Sequence, residues 1–581
     1  MDRKAWIAVT LSVLGLFGWQ WYVGKYHTPP RPTPGAVSAS PTPGATAAPT
    51  ATPQLAAVPS PTASGPVMEP QTESISQEAV EFVFNNDAGG IERAVLRTHK
   101  GENEPYVSLN RDHTFPVGAI GFQPGEVIGG FDLRADRAKD EVFFSKATSD
   151  GLQITKRFAV PPAKDKEKLY TLTLEVAFAN PGTTDLTVPN FFISTGGSSP
   201  IHATDMPIYT RFDWSHDGSM TVVDVNWFGA SSIPLIGISL HGERPLYSET
   251  KPAVDWAAVT SQYFCTVITP KDTKGTAVWA RRFETRKHNN TSVFGMQGAL
   301  GMQGFTVPAG TSVTRTFEIY SGPKELSRLR QLGPNQDHAM NFGWFGFVSE
   351  FLLWAMNSLH SVFGSYAASI IVLTLLIKSA LWPIQNKATN EMRKMAALGP
   401  KMTELREKLK DDPQKMNEEV MKLYKEYGVN PLSGCFPMLI QIPIFFGFYA
   451  MLGTAIELRN SSFFWIQDLS QPDTVGHLLG FPINLLPIVM AGTMVWQMAI
   501  TPKSGDAMQQ RIFYFMPIIF LVFCYNYASG LALYWTTQNI FSIVQLYLTR
   551  NTPLPTLEKK SVIAKREAAV TKKKKQKRNI P

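Results

Sequence analysis

Cysteine is scarce in this chain, and no nucleotide-binding loop is present. The 581 residues include three cysteines, at positions 265, 435 and 524. Cysteines so far apart in sequence match neither a disulfide framework nor the paired spacing of a zinc site. The G-x-x-x-x-G-K-[ST] loop that cradles nucleotide phosphates is also missing. The sequence therefore predicts no metal centre, no cofactor and no catalytic residue.

Charge is sparse as well, and its excess lies at one end of the chain. The net charge is +8, yet residues 550–581 hold eleven Lys and Arg against two Glu. That tail alone carries +9, which leaves the rest nearly neutral and excludes DNA as a partner of the fold. A lysine cluster binds phosphates in a salt-dependent manner, so ribosomal RNA and anionic lipid are equal candidates, beside a merely solvated tail. The clustered residues are Lys572, Lys573, Lys574, Lys575, Lys577 and Arg578.

The N-terminal region combines an apolar run with a low-complexity segment. Arg3 and Lys4 precede the run AWIAVTLSVLGLFGWQWYVG, which ends in bulky aromatic residues and has no A-x-A cleavage site. We interpret residues 1–26 as an uncleaved signal anchor. Residues 27–77 are rich in Pro, Ala and Thr and poor in bulky apolar residues, so they predict a disordered tether.

Residues 78–325 have the composition of a water-exposed β-domain. The segments 80–84, 151–160, 168–180, 261–270 and 311–323 are rich in β-branched and aromatic residues, with turn residues between them. Many strands at short spacing predict a large antiparallel β-sandwich. His202 with Asp205, and His216 with Asp213 or Asp217, are the candidate acid–base pairs, although loop histidines beside aspartates are common.

A helical period begins near residue 324 and continues into several apolar runs. Residues 326–363 predict a linker and an amphipathic helix at the membrane interface, with a helix packed under the sandwich as the alternative. Five further spans are predicted at 366–386, 432–454, 481–500, 512–528 and 530–549. A polar loop with Trp465, Asp468 and Asp473 joins the third span to the fourth.

The basic residues predict the orientation of these spans. Arg3 and Lys4, the segment 387–427, Lys503 with Arg511, and the tail are all basic and lie close to spans. Six spans place all four on one side, as the positive-inside rule requires. We therefore expect both termini in the cytoplasm and the β-domain outside. The predicted class is a polytopic α-helical membrane protein with six spans, five of them forming the core (364–550), and a large exported antiparallel β-sandwich.

The cytoplasmic segment 387–428 predicts a hairpin of two amphipathic helices. Asp411-Asp412-Pro413 separates the helices, and Gly428 ends the second. Methionine side chains adapt to varied apolar partners, so they are candidates for contact with a substrate or a partner protein. The alternative is that they only seal the hairpin. The residues are Met392, Met395, Met402, Met416 and Met421.

Lys378 is a full charge inside the second predicted span. A lysine near the centre of a span costs about 2.5–3.5 kcal/mol on insertion scales. It precedes Asn386 by eight residues, or about 12 Å of helix, which exceeds the reach of its side chain. The last five spans contain no acidic residue to neutralise it. We therefore expect a hydrated recess in the inner half of the membrane.

Four segments of the C-terminal half carry a family resemblance. DDPQKMNEEVMKLYKEYGVNP, NPLSGCFPMLIQIPIFFGFYAML, DAMQQRIFYFMPIIF and SGLALYWTTQNIFSIVQ closely resemble the YidC/Oxa/Alb family of membrane insertases in its Gram-negative form. The resemblance covers residues 340–550 by motif, and the anchor, tether and β-domain by position. In that family the exported domain looks like a galactose-mutarotase-type super-sandwich without known enzymatic activity.

The resemblance implies a positively charged groove that opens to the cytoplasm and to lipid. Nascent inner-membrane proteins would enter this groove and leave sideways into the bilayer. The insertase would act alone or with the Sec translocon, and it would also assist the folding of membrane proteins. The ribosome, signal-recognition machinery and membrane lipids are implied partners. Lys378 stands where the family usually has arginine, and Trp535 where tyrosine is common. The implied groove residues are Thr374, Lys378, Gln441, Tyr534, Trp535, Gln538 and Asn539.

Two other function classes remain as alternatives. Lys378 could lie in the path of an anionic solute through a transporter or channel, although no internal repeat is visible and five spans are few. The β-domain could belong to a membrane-anchored enzyme that acts on envelope glycans. That reading would need a carboxylate or histidine constellation that the sequence does not assemble.

Overall fold

The computed structural model describes residues 63–64, 69–102, 104–112, 114–161, 169–233, 238–288, 291–410, 412–430, 436–501 and 507–549. The predicted signal anchor, most of the tether and the basic tail lie outside these residues. The chain divides into two compact units, one that ends at Met340 and one that begins at Asn341.

The first unit consists mainly of β-strands, as the alternating segments predict. Its strands are β1 (Ala63–Ser64), β2 (Thr72–Ser76), β3 (Val80–Asn85), β4 (Gly90–Leu96), β5 (Val107–Leu109), β6 (Ile120–Gly121), β7 (Val127–Ile128), β8 (Asp132–Asp136), β9 (Glu141–Ala147), β10 (Gln153–Ala159), β11 (Thr171–Ala179), β12 (Leu186–Val188), β13 (Phe191–Ser198), β14 (Arg211–His216), β15 (Ser219–Asp224), β16 (Ser231–Ile233), β17 (Ile238–His241), β18 (Tyr247–Thr260), β19 (Phe264–Pro270), β20 (Gly275–His288), β21 (Thr291–Met302), β22 (Phe305–Val307) and β23 (Ser312–Pro323).

One large antiparallel sheet dominates this unit. Its strand order is β6-β13-β21-β20-β18-β19-β23-β11-β10-β9-β8, and β14 pairs with both β15 and β18. A second antiparallel sheet has the order β2-β3-β4-β5. Phe84 of this smaller sheet packs against Phe158 and Phe144 of the large one, with ring centroids 5.1 and 6.2 Å apart. The five segments predicted from alternation are confirmed as β3, β10, β11, β19 and β23.

Helices account for most of the second unit. A short helix, α1 (Leu326–Leu332), lies near the end of the first unit and stops at Gly333, as predicted. It is followed by α2 (Gly346–Phe363), α3 (Tyr366–Ala397), α4 (Gly399–Lys408), α5 (Pro413–Tyr427), α6 (Phe436–Thr454), α7 (Leu485–Ile500), α8 (Ala507–Cys524) and α9 (Ser529–Thr549). Two strands, β24 (Thr474–Leu478) and β25 (Phe481–Asn484), precede α7.

α2 is apolar on two faces. Leu352, Leu353 and Met356 are buried within the unit, whereas Phe347 and Trp354 are exposed. The exposed aromatic face agrees with the interface helix that the sequence predicts, since large rings favour the membrane–water boundary. Its depth in a membrane stays a prediction.

The structure places two helix ends at other positions than the predicted spans. α3 is 32 residues long in total and continues past Asn386 into the segment predicted as cytoplasmic. Residues 481–484 of the predicted fourth span form strand β25, so α7 begins at Leu485. Apolar composition sets neither where a helix ends nor whether a short run is helix or strand, and the membrane boundaries of both spans stay predictions.

One helix in the described residues, Tyr366–Ala397, is long and apolar enough to cross a membrane by length and hydropathy. Leu439–Thr454, Leu485–Ile500 and Tyr514–Cys524 are apolar but shorter. The count of six spans stays a prediction.

Two lysines in the β-rich unit are fully buried, and they differ in their partners. The Lys156 ammonium donates to the carbonyl of Ala88 at 3.0 Å and lies 4.2 Å from the centre of the Phe131 ring. The Lys324 ammonium is buried without a hydrogen-bond partner among the described residues. Burial, helped by the charge of Arg211, lowers the pKa of Lys324 from 10.5 to about 7. Lys324 is therefore a buried amine without a hydrogen-bond partner among the described residues, and the nearby charge of Asp213 offsets part of the lowering of its pKa.

We expect Lys324→Met to stabilise the β-rich unit near neutral pH. Between pH 7 and about 10.4 the unfolded chain binds a proton at Lys324 that the folded chain has lost, so the wild type gains stability as pH rises, by at most about 1.4 kcal/mol per pH unit. The advantage of K324M should therefore be largest at pH 7 and shrink by pH 9. Thermal unfolding of the full-length protein, followed by β-sheet circular dichroism at both pH values, measures it.

Lys156→Met is the matched comparison. Burial lowers the pKa of Lys156 as well, but K156M also leaves the Ala88 carbonyl without its donor, so its gain in stability should be smaller than that of K324M. If K324M keeps the pH dependence of the wild type, or stabilises the unit no more than K156M does, the assignment of Lys324 as an amine without a hydrogen-bond partner is wrong.

Candidate functional site

Lys378 lies beside a small recess between three helices. The recess has a volume of about 310 Å³, open space included, and Lys378 of α3 is part-exposed at its wall. α6 and α9 supply the opposite walls. The lining residues are Lys378, Leu381, Ile384, Gln385, Ile440, Gln441 and Gln545.

The polar lining of the recess is amide rather than acid. Gln385, Gln441 and Gln545 supply its uncharged polar groups, and Lys378 supplies its charge. Within the described part of the chain, no ion pair or hydrogen bond to the Lys378 ammonium is found. Amides are dipoles without net charge, so they can solvate an ammonium but cannot neutralise it. The recess therefore keeps a net positive charge.

Gln441 connects α6 to α9 through its side-chain amide. Its Nε2 donates to the Tyr534 hydroxyl at 2.8 Å and to Oε1 of Gln538 at 3.0 Å. The Tyr534 ring stacks on Phe448, with centroids 4.1 Å apart. The ring stacking fixes Tyr534, and the two hydrogen bonds fix the Gln441 amide. The polar wall of the recess is therefore held in place.

Three residues of the predicted groove face other neighbours. The Thr374 hydroxyl is buried and donates to the carbonyl of Ile370 at 2.7 Å in its own helix. Trp535 packs edge-on against Phe445, with centroids 4.9 Å apart. Asn539 donates to the Thr493 hydroxyl at 3.0 Å and so joins α9 to α7. The structure thus brings Lys378 and Gln441 to the recess, places Tyr534 and Gln538 behind Gln441, and leaves these three outside its lining.

Among the polar residues that line the recess, sequence reasoning missed two as groove residues. Gln385 follows Lys378 by seven positions on α3, and Gln545 follows Gln538 by seven on α9. Seven residues are close to two helical turns, so each pair shares a face of its helix. Gln545 also donates to Oδ1 of Asn386 at 3.0 Å, which ties the C-terminal part of α9 to the middle of α3. This spacing was the signal that could have found both residues.

The opposite end of the bundle is closed by the loop after α6. The backbone amides of Ser529 and Gly530, at the start of α9, donate to the carbonyls of Gln471 and Leu469, each at 2.9 Å. Gly530 lies against Ile370, where an added Cβ would approach Cδ1 to 3.6 Å. Ile370 precedes Lys378 by eight residues, or about 12 Å along α3. Loop backbone therefore covers the bundle about two helical turns from the charge.

α4 and α5 form the predicted cytoplasmic hairpin. Gly428 ends α5 with a left-handed backbone (φ 65°), which confirms the predicted stop. Met395 and Met402 are buried in the core of the hairpin, where the Tyr424 hydroxyl contacts Sδ of Met402 at 3.3 Å. Met421 is exposed, and Met392 and Met416 are part-exposed. The methionines therefore divide between a sealing set and a set that a partner can reach.

Two of the candidate acid–base pairs of the β-domain are in contact, and one of them joins Nε2 of His216 to Oδ2 of Asp217 at 3.5 Å. Nδ1 of His202 lies 3.1 Å from Oδ1 of Asp205. Asp213 does not pair with His216. It is buried and accepts two hydrogen bonds from Arg211, at 2.8 and 3.1 Å.

Comparison with known proteins decides the family. Residues 74–355 match the family model described as the YidC periplasmic domain, and residues 358–555 match the 60Kd inner membrane protein family. The membrane protein insertase YidC of Syntrophus aciditrophicus (strain SB) is 31% identical over 573 residues, which cover 94% of this chain and 99% of the relative. The chain belongs to the YidC family of membrane protein insertases.

A second relative agrees with this assignment. A YidC from Nitratidesulfovibrio vulgaris (strain DSM 19637 / Miyazaki F) is 31% identical over 94% of this chain and 98% of its own. Among solved structures, an active YidC insertase with its first transmembrane domain resolved matches 84% of this chain and 94% of its own, at 19% identity and a TM-score of 0.33. The two family models together cover both the β-rich domain and the helical C-terminal region.

We expect water-soluble reagents to reach the recess but not the far side of α9. In a variant with Cys265, Cys435 and Cys524 changed to Ser, Lys378→Cys should react with a charged methanethiosulfonate, because position 378 borders the hydrated recess. Asn539→Cys is the matched control, since position 539 is buried against α7. Mass spectrometry of the protein in proteoliposomes measures the labelled fraction; equal labelling at both positions would contradict a local recess.

Proposed function

We propose that this protein inserts nascent inner-membrane proteins through the recess at Lys378 and releases them sideways into the bilayer. One observation carries the proposal: a cation without a carboxylate partner, among the described residues, borders a recess lined by glutamines in an otherwise apolar bundle. An uncompensated charge attracts water and polar segments, and insertase is the function of the family.

The physics of insertion accounts for such a site. The exported tail of a substrate is polar and must leave water to cross the hydrocarbon core, which is about 30 Å thick. A hydrated recess shortens the apolar path, and a positive charge holds an acidic tail for a short time. Transfer of the apolar span of the substrate into lipid then drives release. We propose that no catalytic residue, metal or cofactor takes part.

The exposed methionines extend the same proposal to the cytoplasmic side. Met392, Met416 and Met421 are accessible on the α3–α5 region and can contact an apolar nascent segment, whereas Met395 and Met402 hold the hairpin together. Sec components, the ribosome and signal-recognition machinery are further proposed partners, by resemblance to the family. The proposed placement is the bacterial inner membrane, with both termini cytoplasmic and the β-domain periplasmic.

The geometry favours neither alternative function. A solute path would have to continue past the loop of residues 468–471, whose carbonyls are bonded to the start of α9. A glycan-acting enzyme would need a second carboxylate beside His202 or His216, and Asp213 is instead bound to Arg211.

Substitutions at Lys378 test the charge. We expect Lys378→Arg to keep insertion of a single-span substrate with an acidic exported tail, Lys378→Ala to reduce it, and Lys378→Glu to reduce it most. The order follows the sign of the charge, because arginine keeps the attraction and glutamate repels the tail. Insertion is measured by protease protection of the substrate in cells depleted of their own insertase.

Lys387→Glu is the matched control, because Lys387 is exposed on the same helix and outside the recess lining. It should leave insertion close to that of the wild type. Equal insertion by all Lys378 variants would show that the charge is incidental, and a defect in Lys387→Glu as large as in Lys378→Glu would assign the effect to general charge on α3.

The division of labour between the two units has its own test. Removal of most of residues 78–325 should spare insertion of the same substrate, because the recess is built entirely from α3, α6 and α9. Removal of residues 364–550 should abolish it. Equal losses, measured at matched protein levels in the depleted cells, would contradict this division.

A further inference from the structure

The segment between α6 and α7 contains a β-hairpin in place of the predicted polar loop. β24 and β25 pair antiparallel, with Leu478 opposite Phe481 and His477 opposite Pro482. Leu479 and Gly480 form the turn, and both have positive φ, at 53° and 84°. A two-residue turn of this kind favours Asn, Asp or Gly at its first position, since a left-handed backbone is unfavourable for other residues. Leucine there is unexpected on local grounds.

Exposure makes the turn more unusual still. Leu479 is 92% exposed, Phe481 is 75% exposed and Leu478 is 64% exposed. From residue 474 to residue 500 the sequence has no Asp, Glu, Lys or Arg. A contiguous apolar tip of this kind on a rigid support marks a contact with lipid or with another protein.

Polar contacts at the base hold the hairpin in one orientation. The Asn484 side chain accepts from the Thr474 hydroxyl at 2.6 Å and donates to the carbonyl of Tyr525 at 2.6 Å. Asp473 accepts from the backbone amide of Leu486 at 2.6 Å and from Nε1 of Trp465 at 3.0 Å. The base of the hairpin is therefore fixed to α7 and to the end of α8, and the tip projects from this fixed base.

Continuity with α7 identifies the occupant of this surface as lipid. β25 runs directly into α7, whose Ile488, Val489 and Val495 are exposed and apolar in the way of a lipid-facing helix. The 16 residues of α7 span about 24 Å, less than the hydrocarbon core of about 30 Å, so apolar surface beyond its N-terminus still faces acyl chains. An open sheet edge cannot lie deep in hydrocarbon, which limits the tip to the region just below the headgroups.

We infer that the β24–β25 hairpin inserts its apolar tip, residues 478–481, into the leaflet opposite the α4–α5 hairpin, at the level of the upper acyl chains. The charge pattern predicts that this is the outer leaflet. The tip then anchors the closed end of the bundle to the bilayer. The inference rests on the proposed function only in placing the bundle in a membrane.

Site-directed spin labelling tests this placement. In the variant without native cysteines, a nitroxide is attached to Leu479→Cys or to Phe481→Cys of the full-length chain in liposomes of phosphatidylethanolamine and phosphatidylglycerol. Power saturation then compares collisions with oxygen, which concentrates in lipid, and with a water-soluble nickel chelate. Val495→Cys is the lipid reference and Ser219→Cys, on an exposed strand of the β-rich unit, is the aqueous reference.

We expect labels at 479 and 481 to give oxygen-to-nickel collision ratios close to that of Val495. Ratios close to that of Ser219 would overturn the inference while Val495 still reports lipid, so the proposed function would stand. A label at 479 that is immobilised and shielded from both agents would identify protein contact and also overturn it. An aqueous result at Val495 would overturn the membrane placement itself.

Discussion

The dominant constraint on the helical unit is that a polar side chain among apolar helices needs a partner or water. Most polar residues here obtain a partner. The hydroxyls of Thr374, Thr536 and Ser542 donate to carbonyls one turn back, each within 2.9 Å, while Gln441 and Asn539 bridge helices. Lys378 is different, because its charge has no carboxylate partner in the described residues. Water is the remaining means of solvating it, which accounts for a recess at that point.

The glutamines explain how the bundle keeps the recess without losing its charge. Acidic residues would neutralise Lys378 and form a buried ion pair, which is often no more stable than an apolar contact. Amides stabilise water and the ammonium but leave the net charge in place. The hydrogen bonds of Gln441 and Gln545 also join α6, α9 and α3, so the groups that line the recess fix its walls. The proposed attraction of substrates by Lys378 therefore depends on walls that these glutamines hold in place.

Sequence predicted elements well where one period ran over a long segment, as in β10, β11, β23 and the α5 stop at Gly428. Lys378 and Gln441, which the family resemblance grouped together, line the same recess in the structure. Sequence reasoning failed where the rotation of a helix or the packing of side chains decides which neighbours a residue contacts. Trp535 and Asn539 directly follow Tyr534 and Gln538 in sequence, yet the rotation of about 100° per residue in a helix directs them to Phe520 of α8 and Thr493 of α7. Residues 481–484 were assigned to a helix, because a short apolar run carries no signal that separates helix from strand.

Lys378 and Leu479 each have a side chain that does not suit its local surroundings, in opposite senses. One places a charge where the sequence is otherwise apolar, and the other places an exposed leucine in a turn where glycine or asparagine is preferred. Neither is compensated by a protein contact among the described residues, so neither contributes to folding in the way its neighbours do. Local inconsistencies of this kind concentrate at functional surfaces. We propose that both are resolved by what surrounds the protein, with water in the recess at one end and lipid around the hairpin at the other.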